Sequence, residues 1–406
     1  MLLNALVIIV ITTYLLETWL DHLNQRTARN PLDSKIANLY DPSERERSIA
    51  YSAERTRFGF YSSSFSTALM ILALGLGWFA ALDNWVRDRF ENQILISLAF
   101  IGLISVISWW LTLPFSLYST FKIEAKYGFN KTTPKTYIQD VLKGTLLSVL
   151  IGGSILAVVI WIYQELGKNF WIWAWALVAT FSLVMFMFGT SLILPLFNKL
   201  TPVPEGELRS EIESYARSQG YEIGRLFVMD GSRRSTKANA FFSGLGKSKT
   251  IVLFDTLIEK LNTKEIVAVL AHEIGHYKKK HTLSMFLLSN LQSFMIFALL
   301  GWLLQFESLS TALGADQASF HLSALAFFIL FTPLNILLGL ANNSWSRKCE
   351  FEADTFAKET YATDSMITAL KKISTDSLAN LSPHPIYVKF NYSHPTLIQR
   401  IENIGD

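Results

Sequence analysis

The 406-residue chain has little charge and almost no cysteine, and both shortages limit what it can be. Only 17% of its residues are charged, 50% are hydrophobic, and the mean hydropathy is +0.29. Soluble globular domains contain about 25% charged residues, so this composition indicates an integral membrane protein. The single cysteine, Cys349, excludes an internal disulfide framework and a metal site built from cysteines alone.

A strong excess of positive charge is also missing. The formal net charge is +3 and no long basic run occurs, so we expect no nucleic-acid partner. Internal repeats and low-complexity segments are absent from the sequence as well. The chain has only seven histidines, which makes any pair of them at metal-ligand spacing informative.

Long apolar segments are what the sequence has in abundance. Crossing a hydrocarbon core of about 30 Å takes about 20 residues. The first segment lacks the basic start and small-residue cleavage site of a signal peptide, so we interpret it as a retained anchor. The sequence predicts an α-helical integral membrane protein with seven transmembrane helices, at residues 2–20, 66–86, 93–118, 144–164, 170–197, 282–306 and 320–342.

Basic residues predict the orientation of these segments. Residues 26–57 and 122–135 are rich in arginine and lysine, whereas residues 307–319 contain neither. Arg87 and Arg89 are a weak exception to this alternation. Because basic loops stay in the cytoplasm, we expect an external N-terminus and a cytoplasmic position for the loops after spans one, three, five and seven. The host would be the endoplasmic reticulum membrane in a eukaryote and the inner membrane in a bacterium.

The polar parts of the chain predict a cytoplasmic α+β domain in two pieces. "EGELRSEIESYARSQG" has helical spacing and ends at glycine, "RLFVMDG" and "KTIVLF" resemble short strands, and "SGLGKS" resembles a turn. Asn262 and Glu265 form a capping-box pattern at the start of another helix. We divide the chain into residues 1–197 (spans one to five), 198–281 (first domain piece), 282–342 (spans six and seven) and 343–406 (second piece).

The sequence "AHEIGHYKKKH" at 271–281 predicts a metal site. His272 and His276 are four residues apart, so both imidazoles project from one helix face, with Glu273 beside them. Two histidine nitrogens in this pattern hold a divalent metal while the carboxylate activates the metal-bound water.

The third metal ligand is predicted farther along the chain. We reject His281, because the pattern with a third nearby histidine needs a glycine where Lys279 stands, and we interpret "YKKKH" as a basic collar at the membrane surface. In "SWSRKCEFEADTFAKE", Glu350 and Asp354 share a helix face. Glu350 can ligate the metal and Asp354 can accept the outer N–H of a ligating histidine, while Glu352 points elsewhere and receives no ligand role.

These motifs together resemble the type I CAAX prenyl proteases, which are membrane gluzincins. The similarity also includes "LPFSLYSTFKIEAKYGFNKTTPKTYIQD", "LPLFNKLTPVPEGELRSEIE" and "RSTKANAFFSGLGKSKTIVLFDTLIEKL", and it covers nearly the whole chain. The resemblance implies a gluzincin-like zinc metalloprotease domain with one Zn²⁺ per chain. It assigns zinc binding to His272, His276 and Glu350, and the roles of general base and later proton donor to Glu273.

The resemblance implies further site residues with weaker support. In "KANAFF", Asn239 and Ala240 would belong to an edge strand that pairs with the substrate backbone. In "YSHPTLIQR", His394 and Arg400 would reach the site, where donors could stabilise an oxyanion. The alternative for His394 is a residue that merely precedes a helix, ahead of Pro395.

The implied reaction is hydrolysis near the C-terminus of a prenylated CAAX protein or peptide, which removes the terminal tripeptide. The partners would be this membrane-tethered substrate and membrane lipid. The family's water-filled chamber could be lined by Asn290, Gln292 and Asn335, although ordinary hydrogen bonds between helices explain these residues equally well.

Two other functions remain open. A membrane quality-control protease without a prenyl requirement would use the same zinc chemistry. A transporter or channel with a structural zinc is the alternative from another class, but it would have no use for Glu273 beside the metal.

Overall fold

The computed structural model describes residues 1–243 and 250–405, apart from the side chains of residues 242 and 243. Its first half is helical, and two π-helical turns, Ser119–Glu124 and Ser148–Gly153, interrupt it. The helices of this half are α1 (Leu2–Thr27), α2 (Pro42–Gly75), α3 (Trp78–Arg87), α4 (Gln93–Tyr118), α5 (Pro134–Leu147), α6 (Ser154–Leu166), α7 (Phe170–Leu192) and α8 (Leu194–Phe197).

The second half contains a small sheet between helices. Its first elements are β1 (Leu200–Pro202), α9 (Glu207–Ser218), β2 (Arg225–Met229), β3 (Ala240–Ser243), β4 (Thr250–Phe254), α10 (Asp255–Lys260) and α11 (Thr263–Lys278). The remaining helices are α12 (His281–Leu303), α13 (Ser308–Ala312), α14 (Phe320–Thr360), α15 (Thr363–Asp376), α16 (Pro385–Asn391) and α17 (Leu397–Gly405).

Six helical stretches of the described chain are long and apolar enough to cross a membrane. They are Leu2–Thr27, Pro42–Gly75, Gln93–Glu124, Pro134–Phe197, His281–Leu303 and Phe320–Thr360. The stretch Pro134–Phe197 has 64 residues and contains a short 3-10 turn, Gly167–Asn169. Gly167 has φ +51°, a conformation that favours glycine, and it lets α7 fold back and pack against α6.

The predicted second span, 66–86, is wrong in its bounds. The helix begins much earlier, at Pro42, where Asp41 accepts hydrogen bonds from the backbone N–H groups of Ser43 and Glu44. It ends at Gly75, because Gly77 has φ +67°, and α3 is a separate helix beyond that point. Counting apolar residues placed the span across this break, since hydropathy does not register a left-handed glycine.

The polar half of α2 packs against the C-terminal part of the chain instead of lying in a free loop. Ser48 Oγ donates to the Leu378 carbonyl at 3.0 Å, and Tyr40 donates to the Ser374 carbonyl at 3.1 Å. A buried cluster of Tyr51, Ile123, Tyr127, Phe129 and Leu378 joins α2, the segment after α4 and the segment after α15. Three segments remote in sequence therefore support the same polar domain.

The sheet confirms the predicted helix and strands of the polar domain. α9 and β2 lie within the predicted segments, β4 lies within "KTIVLF", and Gly220 ends the helix with φ +60°. The strand order is β1-β2-β4-β3, with β2 and β4 parallel and the other pairs antiparallel. The predicted turn "SGLGKS" lies, beyond its first residue, outside the described residues.

A buried polar cluster lies at the N-terminal end of α14. His321 on α14 bonds to Asp83 of α3 at 2.7 Å and to Ser97 of α4 at 3.0 Å, and Arg87 Nε donates to Asp83 at 2.9 Å. A histidine that contacts both a serine and an aspartate resembles the catalytic triad of a hydrolase. Ser97 is only 3% exposed, so no substrate reaches it, and the cluster ties three helices together.

The helix predicted around the histidine pair is α11, and the predicted capping box is confirmed. Asn262 Oδ1 accepts from the Glu265 N–H at 3.0 Å, and Glu265 Oε2 accepts from the Asn262 N–H at 2.9 Å. α11 packs closely on α14 at Gly275. A Cβ there would lie 3.1 Å from Ala353 Cα and 3.1 Å from its carbonyl oxygen, closer than side chains normally approach.

This contact predicts that Gly275→Ala destabilises the protein. An added methyl group meets backbone atoms that cannot rotate away, and such overpacking costs about 1–3 kcal/mol. Gly339→Ala on α14 is the matched control, because, apart from the backbone of its own helix, no atom of the described residues lies within 4 Å of its added Cβ. Thermal unfolding of the detergent-solubilised protein should show a lower midpoint for Gly275→Ala only. Equal midpoints for the two variants would contradict this account of the helix contact.

Candidate metal centre

Two nitrogens and two carboxylate oxygens converge between α11 and α14. His272 Nε2 lies 3.1 Å from His276 Nε2, and both histidines are on α11. Glu350 on α14 places Oε1 3.2 Å from His276 Nε2 and Oε2 3.4 Å from His272 Nε2. The three predicted metal ligands are therefore together in the structure, and their ligand atoms lie within 4.8 Å of one another.

These residues fit a zinc ion on structural grounds. Glu350 is 5% exposed, and its Oε2 is buried without a hydrogen bond from any residue that the structure describes. A buried carboxylate oxygen without a donor is unfavourable unless a cation satisfies it. Tetrahedral Zn²⁺ with nitrogens at 2.0–2.1 Å sets those nitrogens about 3.3 Å apart, close to the observed histidine pair.

His272 is held from behind by a buried ion pair. Its Nδ1 lies 2.8 Å from Asp354 Oδ1, and Asp354 is 0% exposed. Arg400 on α17 binds both oxygens of Asp354, with Nε–Oδ2 at 2.8 Å and Nη2–Oδ1 at 2.6 Å. The carboxylate thus has two partners, and it faces the outer nitrogen of His272 as the sequence predicts.

Glu273 follows His272 on α11 and is half-buried. Burial is the largest influence on its carboxyl group and raises its pKa above the usual range, while the two neighbouring histidines act in the opposite direction. A carboxylate with a raised pKa is a stronger proton acceptor than an exposed one. This property suits a group that takes a proton from water and later returns it.

The structure places both His394 and Arg400 near Glu350, but the two side chains differ in exposure and in the contacts that they make. His394 Nε2 lies 3.4 Å from Glu350 Oε1, and its side chain is 62% exposed. The guanidinium of Arg400 is 13% exposed and bound to Asp354, with Nη1 3.7 Å from Glu350 Oε2. His394 is therefore open to a ligand, whereas two of the three nitrogens of Arg400 are already engaged.

The predicted edge strand is β3. No other strand of the described chain pairs with its outer side. The Asn239 carbonyl accepts the Phe254 N–H at 3.1 Å, so the alternation of an antiparallel pair turns the main-chain groups of Ala240 away from β4. Asn239 Oδ1 accepts the Ala240 N–H at 2.9 Å, which leaves the Ala240 carbonyl toward the open side.

His281 and Glu352, to which the sequence analysis gave no ligand role, lie directly behind the site. His281 is 5% exposed, unlike the exposed Lys278, Lys279 and Lys280, so it cannot belong to the predicted basic collar. Its Nδ1 lies 3.0 Å from His276 Nδ1, and its Nε2 lies 3.0 Å from Glu352 Oε2. Spacing rules missed this pairing because Lys280 has φ +58°, which breaks the helix and turns His281 back.

For the polar residues of the membrane helices, the sequence left two explanations open, the lining of a chamber and hydrogen bonds between helices. The structure gives different answers for different residues. Gln292 on α12 exchanges two amide hydrogen bonds with Asn342 on α14, at 2.7 and 3.1 Å, as helix-joining residues do. Asn290 donates to the Phe286 carbonyl on its own helix at 2.9 Å. Asn335 is exposed on α14, as a residue lining a chamber would be.

Helices that cross a membrane, joined to an α+β unit with the HExxH helix and a glutamate from a second helix, define a membrane metalloprotease. The model of "CAAX prenyl protease N-terminal, five membrane helices" matches residues 20–199, and that of "Peptidase family M48" matches residues 202–406. The chain belongs to peptidase family M48, among its CAAX prenyl proteases.

Individual relatives show the same similarity along nearly the full length. The CAAX prenyl protease 1 homolog of Arabidopsis thaliana is 40% identical, over 97% of this chain and 95% of its own length. The Homo sapiens homolog is 31% identical, over 96% of this chain and 92% of its own length. The crystal structure of S. mikatae Ste24p superposes with a TM-score of 0.95 at 30% identity, covering 100% of this chain and 99% of that one.

The support behind His272 predicts that Asp354→Asn weakens zinc binding. The substitution removes the charge that pairs bidentately with the buried Arg400, and loss of such outer partners lowers metal affinity about 10–100-fold. Competition with a chromogenic chelator measures this directly. Asp316→Asn, in an exposed loop, should bind zinc like the native protein. Undiminished affinity in Asp354→Asn would disprove the supporting role.

Proposed function

We propose that the protein is a zinc-dependent endopeptidase of the membrane that removes the C-terminal tripeptide from prenylated CAAX proteins. The observation that carries the proposal is the buried Glu350 carboxylate beside Glu273. Its Oε2 accepts no hydrogen bond from a described residue and faces His272 Nε2, while its Oε1 faces His276 Nε2. The substrate class rests on the relatives in Arabidopsis thaliana and Homo sapiens, which are named CAAX prenyl protease 1 homologs.

His272, His276 and Glu350 would hold the zinc, which supplies Lewis acidity and a lowered pKa of bound water. Glu273 takes the proton from the attacking water and gives it to the leaving amine nitrogen. Since water attacks the carbonyl carbon directly, no covalent intermediate forms between substrate and protein. The exposed His394 imidazole, near Glu350, is available to donate to the developing oxyanion.

Arg400 has a different role from the oxyanion donor that the resemblance implies. Its Nε and Nη2 both point at Asp354, at hydrogen-bond distance. A guanidinium held in a bidentate pair keeps its partner's orientation fixed. We therefore assign Arg400 to the positioning of Asp354 and, through it, of His272.

The position of the metal relative to the membrane follows from the lengths of the helices. The stretch Pro134–Phe197 turns at Gly167, so we infer that it crosses twice and that the chain crosses seven times. Glu350 lies about 45 Å along α14 from Phe320, at 1.5 Å per residue, against a hydrocarbon core of about 30 Å. The carboxylate would then lie beyond the bilayer, on the cytoplasmic side that the basic loops indicate.

The surroundings of the site suit a substrate with an apolar part. A cavity of about 450 Å³ between α7, α12 and α14 includes His276 in its wall. Phe186, Met285 and Phe286 provide apolar surface there.

Substrate backbone would add to the open side of β3. The Ala240 carbonyl faces that side and can accept a main-chain N–H, whereas the Asn239 carbonyl is bound to β4. Asn239 would contribute through its side chain, which fixes the Ala240 N–H. This arrangement aligns a peptide without demanding a particular sequence.

The first experiment compares a farnesylated CAAX peptide with its unfarnesylated form. Native protein should release the tripeptide from the farnesylated form alone. Glu273→Gln should lower the rate about 10²–10⁴-fold while still binding zinc. Glu259→Gln, an exposed glutamate on α10, is the matched control and should remain active. Equal cleavage of both peptides would favour the quality-control protease. Zinc binding without cleavage would favour the transporter with a structural metal.

The strand-addition mode makes a separate prediction for N-methylated substrates. Successive residues of an added strand point alternate amides toward β3, so methylation at every second amide should abolish cleavage while methylation between them is tolerated. A series of peptides with one N-methyl group each, compared by kcat/KM with the unmethylated peptide, measures this. Loss at adjacent amides would contradict strand addition.

A further inference from the structure

The outer nitrogen of His276 faces a second, buried histidine. His276 Nε2 points to the metal side, 3.1 Å from His272 Nε2, while its Nδ1 lies 3.0 Å from His281 Nδ1. His281 Nε2 lies 3.0 Å from Glu352 Oε2. A continuous chain of contacts therefore runs from Glu352 through His281 to His276.

The hydrogen atoms on this chain can be placed by elimination. If His276 offers the Nε2 lone pair to zinc, its hydrogen is on Nδ1 and is donated to His281 Nδ1. His281 then carries its hydrogen on Nε2 and donates it to the Glu352 carboxylate. The same placement follows from the other end of the chain of contacts, because the Glu352 carboxylate only accepts. A neutral His281 therefore donates from Nε2 and accepts at Nδ1, and this arrangement selects the metal-binding tautomer of His276.

The backbone between the two histidines supports a dedicated arrangement. Lys280 adopts φ +58° and ψ +29°, a left-handed conformation that is unfavourable for a residue with a side chain. This residue separates α11 from α12 and lets His281 return toward His276, five positions earlier. Strain of this kind persists where surrounding contacts hold it, and the residue that follows Lys280, His281, contacts the predicted ligand His276.

We propose that His281 and Glu352 are positioning residues for the zinc ligand His276. Carboxylates commonly orient zinc-bound histidines, and Asp354 contacts His272 directly in this way. On the other side, His281 lies between the ligand and the carboxylate. The inference rests on the proposed zinc site and adds the two residues that complete its outer contacts.

A simpler explanation is that Glu352 only pairs with Lys348, one turn earlier on α14. The two groups are 3.8 Å apart and are 41% and 63% exposed, as in a solvated surface pair. Lys348→Gln removes this pair and leaves the contact with His281 intact. It is therefore the matched control for Glu352→Gln.

The test measures zinc affinity of the full-length protein in detergent, by competition with a chromogenic chelator. His281→Ala should bind zinc about 10–100-fold more weakly than the native protein, and Glu352→Gln should show a smaller loss because its carboxylate is partly exposed. Lys348→Gln should bind like the native protein. The d–d absorption of the Co²⁺-loaded forms should change for His281→Ala and stay unchanged for Lys348→Gln.

A conservative variant separates positioning from folding. His281→Asn places an oxygen near the former Nδ1, which can accept from His276, so it should recover most of the affinity. In this background Glu352→Gln should have no further effect, because the connection to His276 is gone. If His281→Ala does not fold, the zinc affinities of Glu352→Gln and Lys348→Gln still test the positioning role.

Native affinity in His281→Ala, or equal losses in Glu352→Gln and Lys348→Gln, would overturn the positioning role and leave the proposed function intact. Failure of the native protein to bind zinc would instead overturn the proposed function, and the positioning role with it.

Discussion

The contact between α11 and α14 at Gly275 is the constraint on which the metal site depends. The two backbones approach so closely there that a Cβ would lie 3.1 Å from Ala353. Gly275 lies between the two histidines, and Ala353 lies between Glu350 and Asp354. Because the helices cross closely at these points, the carboxylates of Glu350 and Asp354 face the imidazoles of His272 and His276. The HExxH motif supplies only half of this arrangement, because the third ligand needs the second helix at this distance.

The two histidines are supported unequally. Asp354 contacts His272 directly, is fully buried and is bound by Arg400. Behind His276, His281 lies between the predicted ligand and the carboxylate of Glu352, and this carboxylate is partly exposed. Since charge interactions weaken with distance and with access to water, the His272 side is the more rigid of the two. The His276 side also borders the cavity between the helices, where a substrate would enter.

Sequence reasoning succeeded where a local rule acts at fixed spacing. The capping box at Asn262, the strands β2 and β4, and the placement of His272 with His276 on one helix face follow from such rules. The approach of Glu350 to the two histidines depends on a contact between helices, and the sequence indicated it through a motif pattern instead of a local spacing. It failed where backbone conformation decides. Gly77 breaks a helix inside the predicted second span, and the left-handed Lys280 carries His281 inward from a run of basic residues. Lys280 is one of three consecutive lysines and Gly77 lies two residues after Gly75, so the sequence pattern does not show which residue adopts the left-handed conformation.

The predicted metal ligands are directly connected to membrane-crossing helices. α12 begins five residues after His276, and α14 carries Glu350 on the turns that follow its apolar part. Gln292 and Asn342 join these two helices by reciprocal amide bonds between the cavity and the rest of the bundle. A change in the packing of α12 against α14 therefore moves Glu350 relative to the histidines, because no flexible loop separates the site from the span of α14. In the proposed protease, this continuity lets the helices that receive the lipid part of a substrate also set the geometry around its scissile bond.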